Sequence, residues 1–184
     1  MAKLKDSGER REFESGAVRD IQEGKGRCDL LPLKIISKVI LFNKKHDIYI
    51  IPGEDAFMLS RISCFIHTKD DFYIISAISH FIKQNYSDFE TAILELSKHY
   101  EDGSRKYGDR NWEKGIPYHC FIDSGIRHYI KFLRGDQDEP HDRAFLWNMF
   151  GLLWTIENKP EMDDMNDVKI DKYYRDPERD KYYG

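Results

Sequence analysis

The chain of 184 residues reads as an all-α protein, a small bundle of helices around one core. Three observations predict this. Apolar residues recur at helical spacing in "FETAILELSKHY" and "HCFIDSGIRHYIKFL". Helix start and stop signals bracket those stretches. No repeat of solenoid length interrupts them, so one core is expected rather than an array.

Each element follows in order. Met1 to Asp29 is polar and glycine-bearing, and its "SGAVRDIQEGKGRCDLLP" reads as an arm. From Leu30 to Pro52 a helix and a short β hairpin compete on equal terms, because "LLPLKIISKVILF" and "DIYIIPG" are short apolar runs. Glu54 and Asp55 are suited to start a helix. Thr68 with Asp71 is suited to cap another through "FYIISAISHFI".

Ser87 and Glu90 then form a capping box. The helix behind it carries Phe89, Ala92, Ile93, Leu96 and Tyr100 on one face, with Gly103 as its stop. A further helix covers His119 to Leu133, striped by Ile122, Ile126, Tyr129, Ile130 and Leu133 and ended by Gly135. The next begins near Pro140, behind Asp138 and Glu139, whose charges suit a helix N-terminus, and runs to about Ile156. Beyond Asn158 the chain turns acidic and repeats a tyrosine pair, which marks a tail.

Composition excludes several classes. A formal net charge of −4 and a pI near 6.0 argue against general nucleic-acid affinity, and leave nucleotides open as small ligands. Three scattered cysteines form neither a disulfide framework nor a metal pair, which fits a reducing compartment. The N-terminus lacks an apolar signal core, and "FLWNMFGLLWTI" is too short to cross a bilayer. A cytoplasmic protein with no membrane partner is expected.

Polar residues interrupt the apolar faces. Asp138, His141, Asp142 and Asn148 share a helix face with Phe145 and Leu152. Asn148 then needs a partner, either a ligand or a neighbouring backbone carbonyl. Asp123 and Arg127, four apart beside His128, form either a surface ion pair or part of a hard-cation site that Glu101 completes. In "KHYEDGSRKYGDRNWEKG", Lys106 and Arg110 offer cations, Gly103 and Gly108 allow close backbone approach, and Tyr107, Asn111 and Trp112 offer stacking and amide hydrogen bonds. The competing reading is a polar connection whose Trp plugs the core.

Together, "SGAVRDIQEGKGRCDLLP", "LSKHYEDGSRKYGDRNWEKG", "FIDSGIRHYIKFLRGD" and "DEPHDRAFLWNMFGLLWT" resemble the phage dATP/dGTP diphosphohydrolase family, the MazZ-like members of the all-α, MazG-related NTP pyrophosphohydrolases. The resemblance implies hydrolysis of dATP or dGTP between the α and β phosphates with Mg²⁺, Mn²⁺ or Co²⁺. It also implies a homo-oligomer. Relatives hold metal through ExxE and ExxD on neighbouring helices. The literal ExxD here is Glu139 to Asp142, and an alternative register falls on Asp138 and His141. No literal ExxE surrounds Glu101. The resemblance further brings Arg19, Lys25 and Arg27 of the arm toward the nucleotide.

The resulting assignment gives metal to Glu101, Asp123, Asp138, Glu139 and Asp142. Catalytic roles fall to Lys106, Arg127, His128, His141 and Asn148, and base contacts to Tyr107, Asn111 and Trp112. Residues 1–158 form a single catalytic domain, with an arm at 1–34, an inserted or divergent segment at 35–90 and core helices at 91–158. Residues 159–184 form the tail.

Two rivals stand beside this reading. An HD-type phosphohydrolase would use His141-Asp142 with His119 or His128 and Asp163 or Asp164. A non-enzymatic interaction module would use Trp112, Trp147 and Trp154 as anchors.

Overall fold

Eleven consecutive residues, Phe72 to Ile82, are buried on all sides of one helix, α3 (Phe72–Asn85), which makes it the axis of the bundle. A helix apolar all round has no solvent face to offer and must be sheathed by others. The computed structural model describes residues 10–20, 23–45 and 56–165. Its remaining helices are α1 (Leu33–Lys45), α2 (Ala56–Thr68), α4 (Phe89–Tyr107), α5 (Tyr118–Arg134) and α6 (His141–Asn158). Helices α1, α2, α4 and α6 pack on α3, and α5 pairs most extensively with α6. The all-α expectation holds.

Where helix and hairpin competed, the described part is helical. Ile35, Ile36, Val39 and Phe42 fall on one side of α1 and are buried, so burial against the bundle overrides the β preference of the branched residues. The competing strand "DIYIIPG" lies outside the described residues. A small antiparallel ribbon does form, in the arm, where β1 (Arg10–Glu12) pairs with β2 (Val18–Asp20) and Arg11 stands opposite Arg19. No described helix is long and apolar enough to cross a membrane.

Several helix ends shift by one residue. The α4 cap is Asp88, whose carboxylate accepts from the Thr91 N–H at 2.6 Å, rather than the Ser87–Glu90 box. Ahead of α3 the capping carboxylate is that of Asp70, which accepts from the Phe72 N–H at 3.0 Å. Asp71 instead pairs with Lys38 at 2.5 Å, and Lys38 reaches Glu157 at 2.9 Å, tying α1, α3 and α6 together. Gly103 lies inside α4. The helix runs on to Tyr107 and stops at Gly108, whose φ of +86° is readily adopted only without a side chain.

The described parts of the segment 35–90 are not peripheral. Ile35, Val39, Ile62, Phe65, Ile74, Ile78 and Phe81 share one continuous core with Leu96, Phe121, Phe145 and Leu152. The start of the tail also packs, since Pro160–Met162 forms a short turn that brings the Met162 sulfur to Gly115. Close approach of α5 and α6 depends on glycine. A Cβ on Gly151 would lie 2.5 Å from Phe121 Cε1, and one on Gly125 would lie 2.5 Å from Met149 Cε. That seam carries the polar groups considered next.

Candidate active site

A cavity of about 550 Å³ opens between the C-terminal half of α4, the connection from Gly108 to Ile116, α5 and the start of α6. Its walls differ in chemistry. Tyr100, Trp112 and Trp147 form an aromatic side, with ring centroids of Tyr100 at 5.7 Å from Trp112 and 6.2 Å from Trp147. Lys106, Arg110 and the backbone of Gly103 and Gly108 form a cationic, close-approach rim. His99, Asp102, His128 and Glu139 supply titratable groups from opposite sides.

The densest polar contacts lie on the α5–α6 seam. His141 is buried, and its Nε2 lies 2.7 Å from Asp138 Oδ1. An ionised carboxylate only accepts, so the Nε2 proton is donated to Asp138 and a neutral ring keeps its lone pair on Nδ1. That Nδ1 lies 3.0 Å from His128 Nδ1 and 3.6 Å from Glu139 Oε1, while His128 Nδ1 is 3.4 Å from the same Glu139 oxygen. His128, Glu139 and His141 therefore converge closely enough to hold one metal ion. A ring oriented by a carboxylate on its far nitrogen is the usual arrangement of a metal-binding histidine, so the donor set fits a cation.

The local electrostatics agree. The Lys131 ammonium, and after it His141, hold the Asp138 carboxyl well below the usual range. Burial pushes the His128 ring below its ordinary value, against the pull of Glu139, which keeps a lone pair available near neutral pH. Burial does the same to His99, reinforced by His128. A second group, Asp136, Asp138 and His141, also converges, but Asp136 is paired with Arg134 and Asp138 with Lys131.

Of the residues singled out in the sequence, Lys106, Tyr107, Asn111, Trp112, His128, Glu139 and Asn148 line the cavity, and His141 and Asp138 stand directly behind it. The register Asp138–His141 is brought together. Asp142 of the literal ExxD turns away and accepts from the Tyr86 hydroxyl at 2.6 Å, and burial, reinforced by this contact, drives the Tyr86 pKa up. Asn148 satisfies its own amide, donating from Nδ2 to the Ala144 carbonyl at 2.8 Å, while bordering the cavity. Trp112 both plugs the core and forms cavity wall.

The other predicted site residues sit elsewhere. Asp123 and Arg127 pair with each other on the exposed side of α5, outside the lining. Glu101 is buried, but its carboxylate accepts from the Gly24 N–H at 3.0 Å and the Gly26 N–H at 2.7 Å, so it faces the arm. Arg27 grips Asp29 and Asp109. Lys25 lies exposed between the two clasped glycines, and Arg19 is exposed on β2.

The HD constellation is not assembled. Asp163 pairs with Lys69 and Asp164 with His119, while His141 and Asp142 diverge.

His99 and Asp102 were not anticipated. Their i, i+3 spacing on α4 is visible in the sequence, but spacing alone does not show that both turn into the cavity.

Residues 80–165 match the family model described as dATP/dGTP diphosphohydrolase, N-terminal. No curated protein and no solved structure matches the chain. The matched segment takes in the end of α3, all of α4, α5 and α6, the metal-competent cluster and every cavity-lining residue except Leu30. Through it, the chain is similar to the dATP/dGTP diphosphohydrolase family.

Proposed function

We propose that the protein hydrolyses dATP or dGTP to the nucleoside monophosphate and pyrophosphate in this cavity, using a divalent cation. One observation carries the reading. A single cavity joins an aromatic wall suited to a purine, a cationic rim suited to a phosphate chain, and a histidine–carboxylate cluster suited to a metal.

A cation held by His128, Glu139 and His141 would supply charge neutralisation on the phosphate oxygens and a water of lowered pKa. Two imidazoles and one carboxylate favour Mn²⁺ or Co²⁺ beside Mg²⁺. Lys106 and Arg110 bind the polyphosphate from the rim, and the Gly108 backbone lets it approach closely. Trp112, Trp147 and Tyr107 pack on the base and exclude water, while Asn111 and Asn148 present amide groups to base or sugar. His99, which lines the cavity and is held neutral by burial, would take a proton from the attacking water. In the setting that the family resemblance implies, the enzyme removes dATP and converts dGTP to dGMP for 2-aminoadenine nucleotides of a phage genome, acting as a homo-oligomer in the host cytoplasm.

The test is product identity. Purified protein with dGTP or dATP and Mg²⁺, Mn²⁺ or Co²⁺ should yield monophosphate and pyrophosphate in equal amounts. Release of intact triphosphate with free deoxynucleoside would support the HD-type reading. No turnover of any of the four dNTPs with any of these ions would support an interaction module.

A further inference from the structure

Resting on the proposed reading, we infer that Glu101 is a positioning residue: its carboxylate clasps the arm, and the arm in turn holds the loop that lines the nucleotide cavity. Tyr100 and Asp102 on either side of Glu101 line that cavity, whereas Glu101 does not. Its two oxygens are occupied separately. Oε1 takes the Gly24 N–H at 3.0 Å and the Arg105 guanidinium at 2.5 Å, and Oε2 takes the Gly26 N–H at 2.7 Å. An ionised carboxylate that is buried and fully engaged by donors is satisfied without a metal.

The arm is shaped for this clasp. Gly26 has φ of +84°, and a Cβ there would lie 2.0 Å from Ser97 Oγ and 3.1 Å from the Lys98 nitrogen, so the arm backbone lies directly on α4. The next residue continues the seam, with the Arg27 N–H donating to the Ser97 carbonyl at 2.9 Å.

From Arg27 the connection passes to the cavity loop. The guanidinium of Arg27 grips Asp29 at 2.7 Å and Asp109 at 2.8 Å. Arg110 answers by donating to the Asp29 carbonyl at 2.7 Å. Leu30, the last residue of the turn Cys28–Leu30, is buried and forms cavity wall. Residues 24–30 thus staple α4 at one end to Asp109 and Arg110 at the other, and that loop carries Asn111 and Trp112 directly behind Tyr107, the last residue of α4. Releasing the clasp loosens substrate binding while leaving the histidine–carboxylate cluster untouched.

The experiment is a cycle of Glu101→Gln, Gly26→Ala and their double variant. Glutamine keeps the shape but turns an amide N–H₂ toward a backbone N–H, and alanine breaks the same contact from the arm side. Each single variant should raise KM for dGTP roughly tenfold, with kcat and the Mn²⁺ concentration for half-maximal activity within about twofold. The double should be no worse than the poorer single. A large rise in the Mn²⁺ requirement for Glu101→Gln alone would overturn the inference and return Glu101 to the metal. Strictly additive effects would also overturn it.

Amide hydrogen exchange provides a readout without catalysis. Gly24, Gly26 and Arg27 should be protected in the unmodified protein and exchange freely in Glu101→Gln, with α5 and α6 unchanged. Equal protection in both would sink the clasp even if no dNTP were turned over. Loss of arm protection in a protein without turnover would uphold the clasp and count against the proposed activity alone.

Discussion

His128 and His141 meet Nδ1 to Nδ1 at 3.0 Å across the α5–α6 seam, with one oxygen of Glu139 within reach of both. Without a cation, one ring must donate to the other. With a cation, both lone pairs and the carboxylate turn to the same point. His128→Gln or His141→Gln should therefore remove the thermal stabilisation that Mn²⁺ gives the unmodified protein and lower kcat by at least about 100-fold, and the double variant should be little worse than either single. Titration by thermal shift, followed by single-turnover assay, checks this.

Asp123 provides the opposite case. Its carboxylate pairs with Arg127 in solvent, at side-chain exposures of 70% and 52%, where such pairs contribute little. Asp123→Asn should keep kcat/KM within about twofold and the melting temperature within about 2 °C. A severe loss of turnover at saturating metal would restore Asp123 to the site.

Asn148 is buried beside apolar neighbours and has spent one amide proton on Ala144. Replacing it with leucine removes a polar group from an apolar stretch and a hydrogen-bonding group from the cavity. Asn148→Leu should melt no lower than the unmodified protein while losing at least about tenfold in kcat/KM. Full activity with higher stability would leave Asn148 only its backbone role.

Gly151 sets the distance between α5 and α6. Phe121 is fully buried and cannot swing aside, so Gly151→Ala should cost about 1–3 kcal/mol by urea denaturation, from overpacking alone. An unchanged midpoint would mean that the seam is looser than the 2.5 Å approach implies.

His80 lies on α3, buried, stacked on Phe57 at 4.1 Å, with both ring nitrogens lacking a hydrogen-bond partner among the described residues. Burial, then Arg61 and Lys83, lower its pKa below 6.5. The unfolded chain therefore takes up a proton first as pH falls. Stability from this group is intact above pH 6.5 and declines through the interval down to its folded pKa, where the loss saturates. His80→Phe should flatten that part of the curve of melting temperature against pH between about 7 and 5. An unchanged slope would assign the acid sensitivity to other groups.

The helices that were clearest in the sequence are those whose apolar period and end signals agree, such as α5 with its stripe and Gly135. End positions were less legible. Ser87 and Asp88 are both competent caps, and Gly103 and Gly108 are both competent stops, so the choice depends on where the packed face ends. In the site, periodicity shows which residues share a helix face but not which way that face turns toward its neighbour. Lys106, Trp112, His128, Glu139 and Asn148 could be gathered because loop and seam bring them together. Glu101, Asp123 and Asp142 could not be sorted, because a carboxylate looks the same whether it meets a metal, an arginine, a tyrosine or a glycine N–H.

The stretch that matches the family opens at His80, well inside α3, so its border in sequence cuts through the axis of the bundle. A polypeptide trimmed to 80–165 would keep Phe81 against Phe145, yet lose the helical turns from Phe72 to Ser79 and the whole of α1 and α2. The flank of α6 that α1 and α3 cover would then meet water. The family match and the folding unit therefore have different boundaries here: the matched half is not portable by itself, and any graft of it onto another scaffold must bring the upstream helices along.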